Sequence, residues 1–142
     1  MDLLTPGLRQ ILSANAAARA QAARRGAREP DPAPVVKFFN PCGAATWLLT
    51  ELDRDGDTLF GLCDLGFGSP ELGCVSLAEI ASVRVAFGLG IERDLQFVAS
   101  HPLSVYAEAA RRHGRIVENA AVLADAALRL ARERDELPPS PS

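Results

Sequence analysis

Lysine is almost missing from this chain. Of fifteen basic residues only Lys37 is a lysine, and the rest are arginine. Coding bias in a GC-rich genome accounts for that skew better than chemistry does. Histidine is scarce as well: His101 and His113 are isolated, and His101 precedes Pro102 in a loop. Neither fits a metal-ligand spacing or a local Cys–His signature. The three cysteines, Cys42, Cys63 and Cys74, are an odd number at spacings that match no zinc or redox motif. They read as buried thiols in a reducing compartment, packed as small hydrophobes. No apolar run approaches the ~20 residues of a membrane helix. The N-terminus also lacks the basic start and apolar core of a signal peptide. The expectation is a soluble, cytoplasmic protein with no membrane contact.

What remains is an ordinary globular composition, 48% hydrophobic and 23% charged. At 142 residues the chain is one domain by length. A domain of this size buries about two thirds of its unfolded surface and folds without staples. The net charge is −3, unevenly spread. Residues 1–34 carry five basic and three acidic groups, residues 35–100 four and nine, and residues 101–142 six of each. Phosphate contacts need Lys and Arg, so nucleic acid is not expected on the central face. Arg24, Arg25 and Arg28 form a small basic cluster. It reads as a solvated helix end that complements the dipole, since no aromatic is interleaved to stack a base.

The densest pattern lies in Trp47–Leu77, which holds the single Trp and six carboxylates. Before it, Thr5-Pro6-Gly7 opens a helix with Thr5 as cap and Pro6 at the first helical position, within residues 1–28. Residues 29–34 (EPDPAP) are a Pro-rich linker, incompatible with helix or central strand. Strands are predicted at Val35–Phe39, Ala45–Leu52, Thr58–Leu65 and Glu71–Val75, with Asp-Gly marking the hairpin turn at 53–57. The third of these is apolar on both faces except for Asp64, so it sits centrally or under helices. Ser76-Leu77-Ala78-Glu79 fits a capping box for an inserted helix, and Ile91–Val98 alternates as a short fifth strand. Residues 35–98 thus form a sheet with an inserted helix, and residues 103–137 form C-terminal helices, Ser104 capping the first. The second, from Ile116 to Leu137, has a heptad-like seam at Ile116, Ala120, Leu123, Ala127 and Leu130. That seam serves docking on the sheet or a homodimer, and docking is favoured. Residues 138–142 read as a disordered tail. The predicted fold is α+β: one domain over 1–137, with an antiparallel sheet of four to five strands, helices packed on one face, and a long C-terminal helix.

Few residues carry a chemical signal. Asp53, Asp55 and Asp57 have the spacing of calcium ligands, but Gly56 is misplaced for an EF-hand loop and strands flank it, so a hairpin turn is the reading. Asp64 is the main candidate, because a carboxylate on an apolar strand face needs a partner. A structural ion pair with Arg93 is the favoured account. The alternative groups Asp64 with Glu51 and Glu71 as catalytic carboxylates of a small metal-dependent hydrolase. Gly66-x-Gly68 is followed by Pro and a strand, not by the helix of a phosphate loop. No metal or cofactor is expected.

Five motifs carry a family resemblance. They are K-F-F-x-P at 37–41, W-L-L-T-E at 47–51, G-D-T-L-F-G-L-C-D-L-G-F-G-S-P-E-L-G at 56–73, V-S-L-A-E-I at 75–80 and I-E-R-D-L-Q-F at 91–97. Together they resemble an uncharacterised bacterial family of unknown function, over roughly residues 1–112. Its members are small proteins often carried on plasmids and other mobile elements of proteobacteria, near antirestriction and conjugation genes. The resemblance implies no activity and no catalytic residues. Where members commonly have an aromatic after E-L-G, this chain has Cys74, and the helix after Gly114 resembles a lineage-specific extension. The expected function is therefore a non-catalytic interaction protein of a mobile genetic element. It would present an acidic sheet face (Asp53, Asp55, Asp57, Glu71, Glu92 and Asp94) to a basic protein, in the manner of antirestriction or anti-CRISPR inhibition.

Overall fold

The computed structural model describes residues 2–136. Leu137 and the tail expected at 138–142 lie outside the described residues. The first helix, α1, is Pro6–Arg24. Thr5 caps it by accepting the Leu8 N–H at 3.2 Å, with Pro6 at the first helical position as expected. Four strands follow: β1 (Val36–Phe39), β2 (Thr46–Leu52), β3 (Thr58–Asp64) and β4 (Glu71–Ser76). With β5 (Glu92–Arg93) they form an antiparallel sheet in the order β4-β3-β2-β1-β5. The fifth strand is shorter than its alternating pattern implies. Asp94 turns the chain off the sheet, its Oδ1 accepting the Gln96 N–H at 2.9 Å. Between β4 and β5 lies α2 (Leu77–Ser82), whose cap Ser76 accepts the Glu79 N–H at 3.2 Å. Then come α3 (Leu103–His113) and α4 (Ala120–Glu136). No described helix is long and apolar enough to cross a membrane.

The sheet is α+β as expected, but its helices divide between two faces, not one. Strand residues alternate, and β2 and β3 are apolar on both sides. Phe38, Trp47, Leu49 and Leu59 face Leu4, Leu12, Leu77 and Ile80 in one core. Leu48 and Leu62 face Leu103, Tyr106, Ala109 and Leu123 in the other. Each fully buried Leu or Phe contributes about 1.5–3 kcal/mol relative to exposure, so neither face could be left bare. β2 also extends beyond β1, whose pairing stops at Val36↔Leu49. The helix α1 fills that gap. Leu12 belongs to the first core, Asn15 Nδ2 donates to the Thr50 carbonyl at 2.9 Å, and Arg19 reaches Glu51 on the other side. Gly61 is required where the strands cross most closely. A Cβ there would lie 2.1 Å from the Leu48 carbonyl oxygen.

Two C-terminal expectations need correcting. Ser104 does not cap α3. Pro102 holds the cap position, and Ser104 N–H and Oγ–H both donate to Asp31. The Pro-rich linker is thereby clamped to the start of α3. The last helix begins at Ala120 rather than Ile116, because Asn119 Oδ1 accepts the N–H groups of Ala121 and Val122 at 2.9 and 3.2 Å. Its seam residues Leu123, Ala127 and Leu130 belong to the second core, with α3 as the helix's main neighbour in place of the sheet.

Candidate functional site

The antiparallel meander gives the sheet two unlike ends. At one end lies the β2–β3 hairpin, residues 53–57. At the other lie the β1–β2 turn (40–45), the β3–β4 loop (65–70), the segment from α2 to β5 (83–91) and the α3–α4 connection (114–119).

At the hairpin end the carboxylates are consumed by the fold. Asp55 Oδ1 accepts the N–H groups of Asp57 and Thr58 at 2.9 and 2.8 Å, and Oδ2 accepts the Thr58 hydroxyl at 2.6 Å. The Thr58 hydroxyl, followed by these backbone donors, holds the Asp55 carboxyl below the ordinary aspartate range. Asp57 secures the start of α2, accepting from Ser76 Oγ at 2.6 Å and Ala78 N–H at 2.8 Å. Glu51 is buried at 4% exposure and pairs with Arg19 at 2.7 Å, while the Arg19 guanidinium lies over the Phe60 ring. Of these acids only Asp53 lacks a side-chain partner among the described residues.

The loop end is built on glycine turns and on one buried carboxylate. Asp64 is 3% exposed. Its Oδ1 accepts the Gly66 N–H at 2.8 Å and its Oδ2 accepts the Ile116 N–H at 3.0 Å. The group thus bolts the β3–β4 loop to the α3–α4 connection and satisfies its burial with backbone donors. Beside it opens a cleft of about 650 Å³, lined by Lys37, Phe39, Thr46, Gly66, Gly114 and Arg115, among others. Lys37 is engaged at its rim, pairing with Glu118 at 2.7 Å and Asp94 at 3.6 Å.

The expected Asp64–Arg93 pair does not form. Arg93 lies opposite Phe38, which belongs to the first core, whereas Asp64 faces the α3–α4 side. The sheet stands between them, and Arg93 donates to the Asp2 and Leu3 carbonyls at 3.1 and 2.7 Å. Nor do Glu51, Asp64 and Glu71 come together. Glu51 is opposite Phe60, four residues along β3 from Asp64, or about 13 Å at ~3.3 Å per residue. Glu71 stands exposed on the outer strand, opposite Cys63. Among the described residues no group of three His, Cys, Asp or Glu side chains is placed to hold a metal. The six carboxylates expected on one acidic face are dispersed: three on the hairpin, Glu71 on β4, and Glu92 and Asp94 at the opposite edge around β5. The cysteines also differ from expectation, since Cys42 and Cys74 are exposed. Cys63 is half-buried, and burial, with Cys74 nearby, pushes its thiol up to about 11.

The feature that sequence reading missed is apolar. Phe67 is 87% exposed and Phe87 95% exposed, both at the loop end, with Leu65, Val83 and Leu89 exposed nearby. Phe67 sits between Gly66 at φ +89° and Gly68 at φ +88°, a backbone that holds the ring outward. Phe87 itself adopts φ +62°, a left-handed conformation that a bulky residue enters at a cost. The turn at 40–45 links the two, since a Cβ on Gly66 would touch Ala44 and Cys42 Sγ approaches the Ala86 carbonyl at 3.8 Å. The G-F-G triplet was the only signal of this in the sequence.

The sequence profile of a family described as "Protein of unknown function (DUF2958)" matches residues 3–117. No curated protein and no solved structure matches the chain. The matched span includes both ends of the sheet and stops before α4.

Proposed function

The chain belongs to the DUF2958 family of unknown function, and we propose that it is a non-catalytic interaction protein whose binding surface is the loop end of the sheet. One observation carries this reading: two aromatic rings, Phe67 and Phe87, are held in solvent by positive-φ backbone. Exposed large apolar groups in a cluster mark interaction sites more often than accidents, and strain at an exposed Phe suggests that the position is kept for contact. Acids flank the surface. Glu71 opens β4 and Glu92 lies on β5, and neither has a side-chain partner among the described residues. An apolar centre with an acidic rim suits a protein with an apolar anchor and a basic border.

This reading keeps the basic protein partner expected from the charge distribution and moves its docking site from the hairpin acids to the apolar loops. Within the cytoplasm of a bacterium carrying a mobile element, such a partner is a nucleic-acid-binding protein whose substrate surface is covered, as in antirestriction or anti-CRISPR inhibition. Affinity purification from a proteobacterial extract tests it. Wild-type protein is expected to recover a basic protein that the Phe67→Ser/Phe87→Gly double variant does not. Recovery of the same protein by both forms, or of no basic protein by either, would overturn the proposal.

A further inference from the structure

A second surface is open along a whole strand. β4 is an outer strand of the sheet and pairs with β3 without a break, from Thr58↔Ser76 to Cys63↔Glu71. Its outer side makes no backbone hydrogen bond among the described residues. Edge strands are normally blunted by a bulge, a proline, an inward charge or a covering segment, because their free N–H and C=O groups recruit other strands. β4 has none of these along its length. Its register is continuous, Pro70 precedes it, and its single charge, Glu71, is its first residue. Leu72 is 50% exposed and Cys74 is exposed.

Grooves flank this edge on both faces. On the α3 side, Leu62, Pro70, Leu72 and Ala107 line a groove of about 510 Å³. On the α2 side, Trp47, Leu65, Val75, Ile80 and Val83 line one of about 450 Å³. Side chains of an added strand point alternately to the two faces. Successive residues of such a strand would therefore enter the two grooves in turn. In strand addition the backbone bonds supply affinity and the alternate pockets supply selectivity.

Charge selects the occupant. Glu71 stands at one end of the edge, and Glu79 borders the groove near the other. Arg111, beside the first groove, is taken up by Glu108. Antiparallel pairing of two copies would set Glu71 of each beside the Ser76–Glu79 end of the other, acid near acid. We propose that β4 binds an extended segment of a protein partner, with a continuous apolar run between Lys or Arg flanks, because both grooves are apolar. The proposal rests on the reading of the chain as an interaction protein and adds a surface that borders the loop end at Leu65, Glu71 and Val83 but includes neither Phe67 nor Phe87.

The full chain would be panned against a random library of nine-residue peptides, with Leu72→Lys and Gly73→Lys as edge variants. Both substitutions are expected to leave the fold intact, since Leu72 is half exposed and a Cβ on Gly73 meets nothing within 4 Å. Enriched peptides are expected to carry a continuous apolar run, rich in β-branched and aromatic residues, between basic ends. Their binding should weaken by about tenfold or more in each edge variant and slow hydrogen exchange of the β4 amides. Phe67→Ser should leave peptide binding unchanged, so failure of this proposal and failure of the loop-end reading are separable. Four results would overturn it: no enrichment, apolar residues at helical spacing, insensitivity to both edge variants, or a wild-type dimer that Leu72→Lys dissociates.

Discussion

The two ends of the sheet spend their side chains differently. At the hairpin end polar groups dominate, and nearly all of them are bonded inside the fold: Asp55 to its own turn, Asp57 to α2, Glu51 to α1. At the loop end the one buried carboxylate is bonded, but the apolar residues that should be covered are not. Formal charge is therefore a poor guide to where this molecule is available to a partner. A carboxylate that already accepts two or three hydrogen bonds has little left to offer, whereas an uncovered Phe has its whole transfer free energy to gain.

The sharpest way to break this contrast is at Asp64. Asp64→Ala strands the part-buried N–H groups of Gly66 and Ile116 and should cost about 3 kcal/mol, read as a lower urea midpoint. Asp57→Ala at the other end removes two bonds to the start of α2 and should cost about 1–2 kcal/mol, as for loss of a helix cap. If Asp57→Ala proved the more damaging, the loop end would not depend on its bolt.

How legible these two ends were in the sequence differs as sharply. Four strands and the capped starts of α1 and α2 followed from alternation, Asp-Gly chemistry and the Thr5 and Ser76 caps. Those are local signals, and local structure obeyed them. Asp64 stands out in the sequence as a carboxylate needing partners. Its partners could not be foreseen, because backbone N–H groups of residues 66 and 116 leave no mark in the side-chain sequence. The clamp of Asp31 on α3 and the path of α1 past the end of β1 were hidden for the same reason, being set by tertiary packing. The division of helices between faces is written in the two-sided apolar pattern of β3, which needs a cover on each side.

Smaller effects sharpen the comparison further. Phe87→Gly relieves a left-handed conformation and should raise stability by about 1 kcal/mol. A gain in stability with a loss of partner would identify Phe87 as a residue retained for contact. Asp55 offers a pH signature. Its folded-state carboxyl is held below the ordinary range by the Thr58 hydroxyl and neighbouring N–H groups. Its contribution is therefore complete above the unfolded value, near ~3.9, and is lost as pH falls through the lowered folded value. Asp55→Asn should flatten the acid limb of the stability curve in that window and leave the neutral region nearly level. Phe67→Ser should be the quietest of all, within about 0.5 kcal/mol of wild type by urea unfolding, because its ring contributes almost nothing to either core.

Residue-resolved hydrogen exchange, with and without the purified partner, tests the contrast most directly. New protection is expected in residues 65–68 and 86–89, with none in the hairpin at 53–57. Protection of the hairpin with the loop end unchanged would contradict it and return the binding surface to the acids.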